Sequence, residues 1–227
     1  MRKWYLDCVT AGGEPAVLYH ARIRWGAFAL RYASVLGGGT TLRSTPEPRV
    51  EGDTVVFRAP GLGIDGTWRA LAPAHERLLT DGVEWRCVQP RAQVSLRLGG
   101  RALSGLGYVE VLTLTRVPWR LPIDELRWGR FCAADTGAVW IEWRGAHPLK
   151  VALVDGAPAD FTPERLRLHG DRVLRSGRIG ETALAMIPRL DRLPGRIVGL
   201  SETKWLSRGA LAGSEGWAIH ELVRWPR

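Results

Sequence analysis

Lysine is almost missing from this basic chain. Of its 32 Lys and Arg residues among 227, only Lys3, Lys150 and Lys204 are lysines, and the net charge is +9. The arginines are scattered, and many fall on the polar phase of a strand, as Arg22 and Arg24 do opposite Tyr19, Ala21, Ile23 and Trp25. Such scatter reads as a solvated face, so no nucleic-acid partner is expected. Cysteine is scarce too. Cys8, Cys87 and Cys132 are odd in number, far apart and outside any CxxC pattern, which excludes a disulfide framework and leaves them as reduced small hydrophobes. No run approaches the ~18 apolar residues of a spanning helix, and Asp7 interrupts the apolar core a signal peptide needs. A cytoplasmic protein without stable membrane insertion is the expectation. Nucleophile elbow, P-loop, dinucleotide glycine fingerprint and HExxH helix are all absent. The five histidines, His20, His75, His147, His169 and His220, show no metal-ligand spacing. Neither metal nor cofactor is expected.

Alternation of apolar and polar residues, by contrast, runs almost the whole length. Short runs rich in Val, Trp, Tyr, Leu and Thr recur with Gly, Pro and Asp-Gly punctuation, the pattern of many antiparallel strands. Separate strands are expected at 83–88 and 92–98, at 103–115, 126–133, 138–144, 165–169, 173–175, 196–206 and 216–225, among others. Asp81-Gly82 and Asp155-Gly156 sit between apolar runs, where Asp-Gly takes the positive φ angles of a type I′ hairpin. Residues 37–52, opened by three glycines, read as a long loop able to cover one end of a barrel. Helical pattern is confined to a turn at Thr162-Pro163-Glu164 and one short helix within 184–195. Pro118, Trp119 and Pro122 interrupt the strands midway. The expectation is therefore an all-β chain with little helix: two small antiparallel lipocalin- or calycin-like barrels or strongly curved sheets packed together, 1–117 and 118–227.

Charged residues fall where a buried face should be between 106 and 144. Residues i, i+2 and i+4 of a strand share a face, so Glu110 lies with Tyr108, Arg130 with Trp128, and Glu142 with Trp140. If these strands pair as a meander, Glu110 and Arg130 approach one another beneath Tyr108 and Trp128, with Glu142 on the next strand. An apolar cavity raises a carboxyl's pKa and an adjacent guanidinium lowers it, a balance that can poise Glu110 for proton transfer. A structural buried ion pair is the alternative. In the last strand Glu221 shares one face with Trp217, Ile219 and Val223, and His220 shares the other with Ala218 and Leu222. Eleven tryptophans supply both core and aromatic walls suited to a large apolar ligand.

The tandem all-β layout, the step Gly107-Tyr108-Val109-Glu110, the pair Trp128-Gly129 and the final Gly216-Trp217 to His220-Glu221 strand resemble the calycin-related carotenoid 1,2-hydratases (hydroxyneurosporene synthase) and AttH-like proteins. The resemblance implies two lipocalin-like domains around a hydrophobic ligand space and, in some relatives, protonation or pericyclic cyclisation of polyenes. This chain is markedly shorter, and Arg127 precedes Trp128 where the family carries an aromatic residue or Asn.

The expected function is binding of a hydrophobic, unsaturated small molecule. Catalysis, where present, would be cofactor-independent acid-assisted hydration, isomerisation or cyclisation by a lyase- or isomerase-like enzyme. Glu110 is the expected proton donor and Arg130 its tuner. His220 and Glu221 are a secondary polar group, and Tyr108, Trp128, Trp140 and Glu142 the substrate wall. A lipocalin-like carrier without turnover is the alternative. Arginine-mediated nucleic-acid binding is a third reading, which predicts steep salt dependence.

Overall fold

The computed structural model describes residues 1–26, 28–42, 45–116, 121, 123–178 and 199–226. Strands β1 (Arg2–Thr10), β2 (Pro15–Trp25), β3 (Phe28–Val35), β4 (Thr40–Thr41), β5 (Arg49–Glu51), β6 (Thr54–Ala59), β7 (Ile64–Ala70), β8 (His75–Thr80), β9 (Val83–Leu98) and β10 (Arg101–Leu114) make one sheet. The second comprises β11 (Glu125–Ala133), β12 (Gly137–Arg144), β13 (Leu149–Val154), β14 (Ala157–Pro158), β15 (His169–Arg178), β16 (Ser201–Leu211) and β17 (Ser214–Arg224). Single 3-10 turns at Pro60–Leu62 and Pro163–Arg165 are the helical elements among the described residues. The fold is all-β and antiparallel, as the alternation predicts. The chain divides into two compact units, Met1–Thr115 with Asp155–Ala157, and Arg116–Val154 with Pro158–Arg227.

In the first unit the strand order is β4-β3-β2-β1-β10-β9-β7-β6-β5, with β8 also on β9. This sheet is strongly curled. His20 on β2 lies 6.2 Å from Phe57 on β6, ring to ring, although five steps of strand order separate them. Trp68 on β7 likewise reaches across to donate its indole N–H to the Asp7 carbonyl at 2.7 Å. The curl wraps Trp4, Leu6, Leu18, Phe57, Val94 and Val109 into one core. Two glycines permit tight strand contact, since a Cβ at Gly105 or Gly107 would stand 2.1 and 2.0 Å from the Val9 and Asp7 carbonyl oxygens.

The segments 83–88 and 92–98 form the single strand β9, whose register against β10 shifts near Pro90 because proline has no N–H to give the ladder. The expected loop 37–52 contains the short strands β4 and β5. Asp155 and Gly156 both take positive φ, 49° and 82°, as a type I′ turn requires, whereas at Asp81-Gly82 only Gly82 does, at 78°. Where a strand is expected at 165–169 the chain leaves the Pro163–Arg165 turn without strand pairing, and β15 runs from His169 to Arg178 through the expected piece at 173–175. The helix expected within 184–195 lies outside the described residues.

The second sheet has the order β14-β13-β12-β11-β17-β16-β15. One face carries its core, in which Phe131, Ala138, Trp140 and Ala218 pack with Phe161 and Leu166 from the segment after β14.

Candidate functional site

The meander expected to join Glu110 to Arg130 does not form. Both edges of β10 are occupied, by β1 and β9, and β11 instead pairs with β12 and β17 in the other sheet. A strand has two edges, so no pairing remains. Glu110 and Arg130 therefore belong to different sheets.

Glu110 lies on the face of the first sheet opposite its core, because Val109 and Val111 take the inward positions. Its Oε2 accepts two hydrogen bonds, from the Trp85 indole N–H and the Tyr108 hydroxyl, each at 2.7 Å. Tyr108 is fully buried and Trp85 nearly so. Burial pushes the Tyr108 hydroxyl well above its ordinary pKa, helped by Cys87 and Glu110 beside it, so it serves as a lasting donor. The ring of Tyr5 stands 6.0 Å from that of Tyr108 and 5.5 Å from that of Tyr19, both edge-on. The expected partnership of Tyr108 with Glu110 is present; Trp85 is an addition.

In the second sheet alternation separates residues expected to share a wall. Trp128 pairs in register with Ile141 and Glu221, and Trp140 with Gly129. Trp128, Arg130 and Glu221 thus occupy one face, and Trp140, Glu142 and His220 the other. On the first face Arg130, fully buried, donates to the Trp217 carbonyl at 2.7 Å. Glu221 pairs with the buried Lys204, whose ammonium stands 5.1 Å above the Trp128 ring.

The face bearing His220 is ordered in rows, since residues opposite one another on antiparallel strands point the same way. The deepest row is Ser207, Ala218, Phe131, Ala138 and Val154. The next is Trp205, His220, Gly129, Trp140 and Ala152, and the third is Thr203, Leu222, Arg127, Glu142 and Lys150. His220 therefore stands where apolar core gives way to a charged rim. Glu142 belongs to that rim and pairs with Arg144 at 3.2 Å and Lys150 at 3.8 Å.

Trp205 stacks on the His220 ring with centroids 5.2 Å apart and planes 19° from parallel. On the other side Gly129 leaves a notch that the Trp140 indole fills: a Cβ there would lie 2.1 Å from Trp140 Cζ2. Beneath, Ser207 Oγ donates to Asp171 Oδ1 at 2.5 Å and lies 2.8 Å from His220 Nε2. The single hydroxyl proton goes to Asp171, so His220 Nε2–H must donate to Oγ, and the lone pair falls on Nδ1. Burial holds His220 below its ordinary pKa, against a raising effect of Asp171 and with a further lowering by Lys204. The result is a neutral imidazole at neutral pH with one basic nitrogen. A nucleophilic triad needs the acid on the histidine; here it is on the serine.

Ser207 and Asp171 were not singled out from the sequence. Ser207 sits in an ordinary strand, and Asp171 falls in what reads as a gap between two short strands. Among the described residues no group of three or more His, Cys, Asp or Glu side chains is placed to hold a metal ion, and no helix is long and apolar enough to cross a membrane.

No protein-family model matches the chain, and no curated protein matches it in sequence. Solved structures do match in fold. CghA, in a crystal structure with Sch210972, aligns with TM-score 0.59 at 15% identity over 98% of this chain and 88% of its own. Kievitone hydratase from Nectria haematococca aligns with TM-score 0.52 at 13% identity over 98% and 88%. The AttH-like protein NE1406 from Nitrosomonas europaea gives 0.52 at 12% identity over 97% and 92%. The chain has the all-β, lipocalin-like fold of these proteins, as the resemblance in sequence implied.

Proposed function

We propose that this protein binds a hydrophobic, unsaturated small molecule against the aromatic face of its second unit and adds or moves a proton there without a cofactor. The observation carrying this reading is the chain Asp171–Ser207–His220, set in a row of indoles at the margin between core and rim. The fold it shares with a hydratase supports the same class of chemistry.

His220 Nδ1 takes a proton from a water poised over a polarised double bond, and the hydroxide adds to one carbon. The imidazolium then returns that proton to the neighbouring carbon, so hydration balances without a redox partner. Isomerisation uses the same two transfers at different carbons of the substrate. The cationic ring is stabilised meanwhile by Nε2–H donation to Ser207, by the Asp171 carboxylate and by the face of Trp205. Ser207 and Asp171 are positioning residues. Trp140 and Trp205 form the apolar wall.

Glu110 with Tyr108 is the second reading, favoured by two buried donors converging on one carboxylate oxygen. Arg130 and Glu221, engaged with the Trp217 carbonyl and Lys204, are proposed as scaffold.

The test is a panel of enones and conjugated polyenes followed by tryptophan quenching for binding and by loss of conjugated absorbance for turnover. His220→Gln should abolish turnover with binding kept within a few fold, and Ser207→Ala should lower kcat while leaving KM nearly unchanged. Full turnover by His220→Gln, with loss in Glu110→Gln, would transfer the role to Glu110. Binding without turnover in the parent protein would make it a carrier.

A further inference from the structure

The concave face of the first sheet is also layered. Its deep row is Val109, Leu6, Leu18 and Val35; the next is Val111, Trp4, His20 and Ala33; the outermost is Thr113, Arg2, Arg22 and Arg31. Arg24, two residues beyond Arg22, extends the outer row on the same face. The arginines that look scattered in sequence are thus brought side by side. Like charges directly opposite one another repel, and among the described residues one carboxylate answers the row. Glu47 reaches in from its loop to Arg22 at 3.1 Å and Arg2 at 3.6 Å, while Arg24 and Arg31 have no partner among the described residues.

These arginines line a groove of about 850 Å³ at the point where β1 ends at Arg2 and the flanking β2 and β10 run on past it; Ile23, Leu30 and Leu114, of the opposite strand phase, line it as well. That volume is in the range of small-molecule sites. One row deeper, Trp4 and His20 are almost wholly buried, and two of their polar atoms, Trp4 Nε1 and His20 Nδ1, have no hydrogen-bond partner among the described residues. His20 Nε2 lies 3.1 Å from the Thr45 carbonyl and must donate to it, so the bare Nδ1 is an acceptor and the bare Trp4 N–H a donor. Arg2 roofs this pair, its guanidinium 5.6 Å over the Trp4 ring.

We infer that this groove is a binding site for an amphiphilic organic anion, its oxyanion head held on the concave face by Arg22, Arg24 and Arg31 and its apolar body passing the end of β1 toward Ile23, Leu30 and Leu114 on the other face. Glu47 shows how the head is received, because the chain's own carboxylate already lies on Arg22 and on the neighbouring Arg2. Glu47 is then a built-in competitor that a ligand displaces.

The test is titration calorimetry at low salt with sodium decanoate, decyl phosphate and decan-1-ol. Either anion should bind one to one and the alcohol should not; the tighter of the two anions identifies the head group as carboxylate or phosphate. Arg24→Gln/Arg31→Gln should weaken binding at least tenfold, Glu47→Gln should strengthen it severalfold, and Arg97→Gln, exposed on β9, should change nothing. His220→Gln should also bind normally, which separates this site from the one on the second unit. Equal binding of decan-1-ol, full affinity in Arg24→Gln/Arg31→Gln, weaker binding by Glu47→Gln, or no binding of either anion by the folded protein would overturn the inference.

Discussion

Gly129→Ala is the most economical probe of the His220 face. The new methyl would stand 2.1, 2.5 and 2.7 Å from Trp140 Cζ2, Cε2 and Cη2, where carbon atoms ordinarily rest at about 3.5–4.0 Å. The ring would have to retreat by more than an ångström. It is 5% exposed and packed 6.1 Å from Phe161, so retreat means moving a second aromatic ring. Overpacking of this kind costs about 1–3 kcal/mol. Against it stands the roughly 0.5–1 kcal/mol that alanine gains over glycine inside a strand. The net expectation is destabilisation of about 1–2 kcal/mol. In a Trp140→Phe background the offending atoms Cζ2 and Cη2 are gone, and the same Gly129→Ala change should become neutral or stabilising. Urea unfolding of the four proteins in a double-mutant cycle measures the difference, expected at about 1–3 kcal/mol of coupling. If Gly129→Ala is neutral with Trp140 intact, the indole does not lie in the notch and the aromatic row is wrongly drawn.

The acid limb of stability should report on His220. Burial keeps its folded pKa below 6.5, so the unfolded chain takes up the proton first as pH falls. Stability from this residue is full above about 6.5 and declines below it, and His220→Gln should flatten that decline in pH-dependent urea midpoints. Tyr108 should stay un-ionised at pH 10, where a solvated phenol titrates, so difference absorbance at 295 nm should show fewer than four tyrosinates until the protein unfolds. Glu221→Gln should cost about 3 kcal/mol or more, because it strips the carboxylate from a buried ammonium, whereas Lys204→Met/Glu221→Leu should recover most of the loss. Equal cost in single and double variants would show that the pair is not the source.

Alternation made the strands readable because each has one face turned to core, and it correctly set His220 and Glu221 on opposite faces. The same two-residue period puts Tyr108 with Glu110, a contact within one strand. What could not be read is which strand lies beside which. Arg130 shares the phase of Trp128, but of its two neighbouring strands one, β17, lies nearly ninety residues on, and no local pattern marks that pairing. Ser207 and Asp171 escaped for the same reason, since β15 and β16 flank a long intervening segment. The arginine row was hidden differently: Arg2, Arg22 and Arg31 are far apart in sequence, and only the β1-β2-β3 register aligns them. Residue type and phase are local; adjacency across a sheet is not.

Cys8 and Cys87 belong to the first unit and Cys132 to the second, and all three are buried and outside any disulfide. Each half consequently carries its own native stopwatch. A colourless thiol reagent that turns coloured on reaction can register Cys132 only when the β11 strand comes away, and Cys8 only when the curled sheet opens. With single-cysteine versions, the lifetimes of the two halves become separately countable without attaching any foreign label.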